Sequence, residues 1–204
     1  IEDRCNGVLV YPMIENEKEI PCLVYAAGDW GLLYFDFMGN LIHQNNLGHV
    51  GYMSVADFNM EIPGLELAAS NQWGNDGLTH LLDAKGETMN NFLPVSGLIR
   101  CQPVNWKGDG EEFLLTNADS LMGGLVDYTG QLAVRFPADG HPTSYYLVQD
   151  LTGDTRDEVI VWDQENLWIY TQDDNPRMGN TYSPTRNPLF NSSMYHMSYS
   201  FPGW

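Results

Sequence analysis

Basic residues are scarce in this chain: 9 Lys and Arg stand against 27 Asp and Glu among 204 residues, a formal net charge of −18. A phosphate backbone is gripped by a dense Lys/Arg surface, so the deficit argues against nucleic acid as a partner. Cysteine is nearly as rare. Three thiols (Cys5, Cys22 and Cys101) make no disulfide framework. A hairpin centred near Glu17 sets Cys22 opposite Met13 rather than Cys5, which leaves all three as free or buried thiols. No apolar run approaches the ~20 residues of a membrane helix, so membrane insertion is not expected. No signal-peptide pattern is visible and Ile1 is not an initiator Met, so a mature form or a fragment is expected. Walker loop, dinucleotide fingerprint, zinc spacing and nucleophile elbow are all missing. No segment carries a long apolar pattern of period 3.6, which excludes helical repeats.

What remains is an acidic, hydrophobic chain (43% apolar, 12% aromatic) able to build a core. The charge suits a secreted or periplasmic protein that binds divalent cations, and equally a surface charged for solubility.

The chain repeats itself. Apolar stretches "GVLVYP", "HVGYMSVADF", "GLIRCQPVNW" and "SYYLVQDL" each lead into an acidic loop. After each loop comes "CLVYAA", "LELAAS", "EFLLTN" or "EVIVWD", and then "LLYFDF", "LTHLLD", "GGLVDY" or "NLWIYT". Three units close this third run with Asp-x-x-Gly (Asp36–Gly39, Asp83–Gly86, Asp127–Gly130), the aspartates 47 and 44 residues apart. Short β-rich runs between Gly, Asp and Asn turns are strands, and four strands at this period describe propeller blades. The predicted fold is all-β: a β-propeller with four-stranded blades over about 7–47, 48–96, 97–143 and 144–204. Four blades could close on themselves, but such small wheels usually join first blade to last by a disulfide, and Cys5 has no late partner. Half of a larger wheel is the preferred reading.

The acidic loops resemble the FG-GAP type of repeat. "LGHVGYMSVADFNMEIPGLEL" (Leu47–Leu67) is similar to the stretch of family-11 rhamnogalacturonan lyases where Gly-His-Gly-Asp leads into Asp-x-Asp and Pro-Gly-Leu-Glu. "DLTGDTRDEVIVWDQENLWIYTQ" and the tail to Trp204 resemble that family's last blade and C-terminal segment. The resemblance implies an eight-bladed propeller with structural calcium, the remaining blades lying N-terminally. It implies action outside the cytoplasm on rhamnose- and uronate-containing plant polysaccharide, by β-elimination. The chain departs from the pattern in three places. Gly48-His49-Val50-Gly51 lacks the Asp, Tyr195-His196 stands where the family has Gln-Asn, and Ser200-Phe201 replaces Asn-Gln. A binding module without catalysis therefore stays open.

Calcium takes 6–8 oxygens from carboxylates, carbonyls and hydroxyls. In "DLTGDTRDE" the residues Asp150, Thr152 and Asp154 alternate inward, Arg156 can offer its carbonyl and Glu158 a carboxylate. A second candidate joins Asp57, Asn59 and Glu61 with Glu66. In the third unit Lys107 takes a ligand position, where its ammonium can replace an ion. A structural role for such ions is favoured over a catalytic one.

Propellers bind ligands over the central channel, where Trp30 and Trp73 can stack on pyranose faces and Asn75 can bond hydroxyls. Packing between blades is an equal use for either Trp. Uronate β-elimination needs a neutralised carboxylate, a base for the C5 proton and an acid for the leaving oxygen. His49 is the candidate by motif position, with Tyr195 and His196 next and Arg177 as a source of positive field.

Overall fold

The computed structural model describes residues 7–94, 100–143 and 146–172, together with the backbone of 193–194 and 197–199. Every regular element among them is a strand.

Strands β1 (Gly7–Glu15), β2 (Lys18–Ala26), β3 (Leu32–Phe35) and β4 (Leu41–Asn45) form an antiparallel meander. A second is built by β5 (His49–Ala56), β6 (Glu66–Trp73), β7 (Thr79–Leu82) and β8 (Thr88–Phe92). The third holds β9 (Gln102–Val104), β10 (Phe113–Leu115), β11 (Leu125–Val126) and β12 (Leu132–Val134). The fourth has β13 (Tyr146–Gln149), β14 (Glu158–Trp162) and β15 (Leu167–Tyr170). Short strands β16 (Ser193–Met194) and β17 (Met197–Tyr199) join the second sheet instead, β17 running parallel to β5 with Met197 opposite Met53.

Local chemistry sets the turns. Asn16 and Glu17 both have positive φ (50° and 63°), which makes a two-residue hairpin closed by the Glu15–Lys18 pair. This ladder puts Cys22 opposite Tyr11, which corrects the expected pairing with Met13: the turn is one tight pair of residues, not a loop around Glu17. Cys22 and Cys101 are free and buried, and burial pushes the Cys22 thiol up to about 12. Cys5 lies outside the described residues.

The Asp-x-x-Gly motif folds the same way three times. Asp36, Asp83 and Asp127 each accept, on Oδ1, the N–H groups two and four residues on, at 2.8–3.0 Å. Gly39, Gly86 and Gly130 then take φ near +85°, a region that glycine enters without a Cβ clash.

The sheets pack face to face in chain order. Leu9, Tyr11, Val24 and Tyr34 meet Val50, Met53, Val55 and Leu67 in the first seam. Tyr52, Phe58 and Leu81 meet Cys101, Leu114 and Val126 in the second. In the third, Val104, Leu115 and Phe136 meet Val159 and Val161. Strands β5 and β7 of the second sheet are thus buried on both faces, which explains an eight-residue β5 with no exposed position.

Polar links lock the seams. Tyr11 donates its hydroxyl to the carbonyls of Leu65 (2.9 Å) and Asp83 (3.0 Å) across the first. In the second, Glu112 N–H donates to the Asp57 carbonyl at 2.8 Å, and the Glu112 carboxylate accepts Asp57 N–H at 3.2 Å. The third repeats this clamp: Asp157 N–H donates to the Asn105 carbonyl at 2.9 Å, and the Asp157 carboxylate accepts Asn105 N–H at 2.8 Å.

Candidate functional site

The site forms where the first two sheets touch. The turn between β2 and β3 is closed by Gly31 N–H donating to the Gly28 carbonyl (3.0 Å), and the same carbonyl accepts Val50 N–H at 3.1 Å. Gly31 has φ +75°, and a Cβ there would lie 2.1 Å from the Asn45 carbonyl oxygen, so this turn admits glycine alone. The tether fixes Asp29 over the start of β5, its Oδ1 2.7 Å from His49 Nδ1. His49 is 7% exposed and the Asp29 side chain 81%, so the dyad sits at the surface with its imidazole walled in. With Nδ1–H donating to the carboxylate, the basic lone pair of His49 resides on Nε2, the arrangement of a general base oriented by an acid.

Trp73 is the cross-strand partner of His49, its ring centroid 4.4 Å from the imidazole at an interplanar angle of 38°. It is 63% exposed and Trp30 is 50% exposed, so both offer aromatic faces to solvent. Asn75 lies in the β6–β7 loop, exposed, with its carbonyl accepting Leu78 N–H at 2.9 Å. The structure thus brings His49, Asp29 and Trp73 into contact and places Trp30 and Asn75 on loops at the same end of the sheets. Tyr195, His196 and Arg177 lie outside the described residues.

An amide chain running from buried Asn71 and His80 to exposed Asn91 supports the dyad from below. Asn71 Nδ2 donates to the Leu47 carbonyl at 2.8 Å, which fixes its Oδ1 toward His80 Nε2 at 2.9 Å. His80 Nδ1 meets the Asn91 amide at 2.7 Å. Each ring nitrogen of His80 thus faces an amide oxygen, Asn71 Oδ1 and Asn91 Oδ1, and burial lowers the His80 pKa. The chain holds Leu47 two residues before His49. Nothing local in the sequence marks it, because its members come from three strands and a linker.

Where the family motif would carry Asp, Gly51 sits against Gln72, whose Cβ would be 2.6 Å from an added Cβ. The carboxylate on His49 comes from the preceding sheet.

The acidic loops differ in how far their oxygens are satisfied. In the fourth unit Asp150 accepts Gly153 N–H (2.7 Å) and Thr155 N–H (3.3 Å). Asp154 takes Arg156 Nη2 at 2.7 Å and Nε at 3.1 Å, an ion pair that holds its carboxyl below the usual range. Glu158 accepts Leu151 N–H at 2.6 Å and the Thr152 hydroxyl at 3.3 Å. The Arg156 guanidinium thus occupies one of the loop's acids, Asp154. Lys107 pairs with Glu111 in the third unit, at the surface.

The second unit is different. Glu66 Oε2 accepts the N–H groups of Phe58 (2.7 Å) and Asn59 (3.0 Å), and Asn59 Oδ1 takes Glu61 N–H at 3.1 Å while the Glu61 side chain is exposed. Glu66 Oε1 and Asp57 Oδ1 are buried with no hydrogen-bond partner. Burial, with the Asp57 charge beside it, pushes Glu66 up to about 8; burial and then Glu111 push Asp57 up to about 6. Two such oxygens fit a divalent cation better than the saturated 150–158 loop does. Among the described residues no three His, Cys, Asp or Glu side chains already converge at metal-binding spacing.

No known family model matches the sequence, and a search of curated proteins found no match. Solved structures do match. A rhamnogalacturonan lyase of family PL11 from Bacillus licheniformis superposes over 86% of this chain at TM-score 0.58 and 21% identity. The rhamnogalacturonan lyase YesW superposes over 97% at TM-score 0.63 and 18% identity.

The chain has the fold of part of a rhamnogalacturonan lyase.

The exotype rhamnogalacturonan lyase YesX agrees, with TM-score 0.56 over 81% of the chain at 21% identity. The chain spans only 30–35% of the length of these lyases, so it corresponds to a part of the lyase fold. Within that fold the Asp29–His49 pair and the exposed tryptophans share one end of the first two sheets. No helix among the described residues is long and apolar enough to cross a membrane.

Proposed function

We propose that the chain is part of a β-propeller that cleaves an acidic, rhamnose- and uronate-containing plant polysaccharide by β-elimination, outside the cytoplasm. The observation that carries this reading is the Asp29–His49 dyad beneath an exposed Trp73, set in a lyase fold. His49 Nε2 takes the C5 proton of a uronate, the bond from C4 to the leaving oxygen breaks, and a C4–C5 double bond forms. Asp29 holds the imidazole in the tautomer that can accept that proton and stabilises the imidazolium that results. Trp73 and Trp30 stack on sugar faces and Asn75 bonds hydroxyls. Tyr195 or His196 returns a proton to the leaving oxygen, and Arg177 draws the substrate carboxylate.

Four stacked sheets, each interlocked with the next, are read as consecutive blades, with further blades completing the wheel. The outer face of the fourth sheet supports this. Leu147, Ile160 and Ile169 form one cross-strand row, and Leu147 and Ile169 are each 49% exposed. Calcium, where bound, supplies positive charge that neutralises buried carboxylates; Asp57 and Glu66 with Asn59 would hold it. A second reading, a glycan-binding module without catalysis, rests on Gly51, which leaves the motif without its Asp.

The test uses the intact protein and a uronate-containing oligosaccharide, following the ultraviolet absorbance of the unsaturated product. Asp29→Asn is expected to lower kcat by about 10²–10⁴-fold, the usual scale of acid–base assistance, and His49→Ala at least as much. Binding without any unsaturated product would decide for the second reading.

A further inference from the structure

Between the third and fourth sheets lies an open cavity of about 580 Å³ that shares no residue with the His49 site. Its walls include Lys107, Arg135 and Arg156, with the rings of Trp106, Phe136 and Tyr170. These are three of the nine basic residues of the chain, and no Asp or Glu lines the cavity although the chain carries 27. Lys107 pairs with Glu111 and Arg156 with Asp154, whereas Arg135 bonds a backbone carbonyl, so its positive charge is the one that an anion meets here.

The cavity is held ready. Tyr170 donates its hydroxyl to the Asp139 carboxylate at 3.0 Å, and His141 Nδ1 bonds the same carboxylate at 2.5 Å. The Phe136 ring packs on Tyr170 at 4.9 Å between centroids. These contacts pin the segment that follows β12, and so one cavity wall, across β15. Gln172 ties the opposite rim, donating to the Trp106 carbonyl at 2.8 Å. Arg135 is exposed and uses Nη1 on the Leu121 carbonyl at 2.6 Å, and a guanidinium carries five N–H donors in a fork that matches a carboxylate.

We propose that this cavity binds a carboxylate-bearing saccharide, Arg135 and Lys107 taking the carboxylate and Trp106 and Tyr170 the sugar faces. The choice of a sugar rests on the polysaccharide reading above; the charge and shape of the cavity stand apart from it. A second anchoring point of this kind would raise the residence of a long acidic chain on the molecule.

Calorimetric titration of the intact protein with trigalacturonate, its methyl-esterified counterpart and acetate tests the proposal. Trigalacturonate is expected to bind, the ester and the Arg135→Gln and Lys107→Gln variants being about tenfold weaker. His49→Ala is expected to leave this binding unchanged, or to remove one of two binding phases while Arg135→Gln removes the other. Both cavity variants alter exposed cations, and an unchanged circular dichroism spectrum verifies their folding. The proposal is overturned by absence of binding, by equal affinity for the ester, or by full affinity in both cavity variants. Acetate competing as well as the trimer would also overturn it, by reducing the cavity to a site for small anions. Loss of all binding in His49→Ala would overturn it too, since the ligand would then sit over the dyad. Full lyase activity in that variant with trimer binding intact would count against nothing but the catalytic reading.

Discussion

Burial raises Glu66 to about 8, the highest among the described carboxyls, and its neighbour Asp57 to about 6. Each is a carboxyl raised by burial, so its protonated form favours the fold: the stabilisation is full below its ordinary pKa and is lost as pH rises through about 6 for Asp57 and about 8 for Glu66. In chelator, the melting temperature is therefore expected to fall between pH 5 and 9 (roughly, from those values). Calcium at 100 times its Kd is expected to restore about 2.7 kcal/mol at the alkaline end. Glu66→Gln should flatten both the pH profile and the calcium response; a calcium shift that survives in this variant would place the ion elsewhere. The expectation from sequence alone ranked the 150–158 loop first, because its acids alternate most regularly. Spacing could not show that Arg156 folds back onto Asp154.

At the scale of elements, the recurring device is the reciprocal clamp between sheets. Asp157 bonds Asn105 N–H from a half-buried position, and loss of solvent around it pushes its carboxyl up to about 6. Asp157→Ala is expected to cost about 1–3 kcal/mol in urea unfolding, because it leaves a buried N–H unsatisfied. Asp157→Asn keeps an acceptor and is expected to cost less; equal losses in both would mean that the clamp contributes through charge alone. The three Asp-x-x-Gly turns were legible from sequence because the bonds that define them span four residues. The clamps were not, since their partners lie 52 and 55 residues apart and belong to different sheets.

For the whole molecule, three seams are closed by apolar residues while the fourth sheet keeps Leu147, Leu167 and Ile169 exposed at 49%, 61% and 49%. An apolar row on a sheet face is ordinarily covered by another sheet. If further blades cover it, this chain prepared alone should self-associate through that face. Ile169→Lys is expected to reduce association in sedimentation equilibrium, whereas a chain monomeric before the change would show the face to need no cover.

The sequence by itself determined the all-β class, the periodic units and their turns, because alternation and Asp-Gly chemistry act over a few residues. It also marked His49, through the short motif around it. Tertiary structure alone decided which groups share a site. Asp29 reaches His49 from the preceding sheet, and Glu66 is left with a buried, unpartnered oxygen, because both outcomes depend on how separate sheets stack. Burial and distance between units set those chemistries, and neither is written in the spacing of one strand.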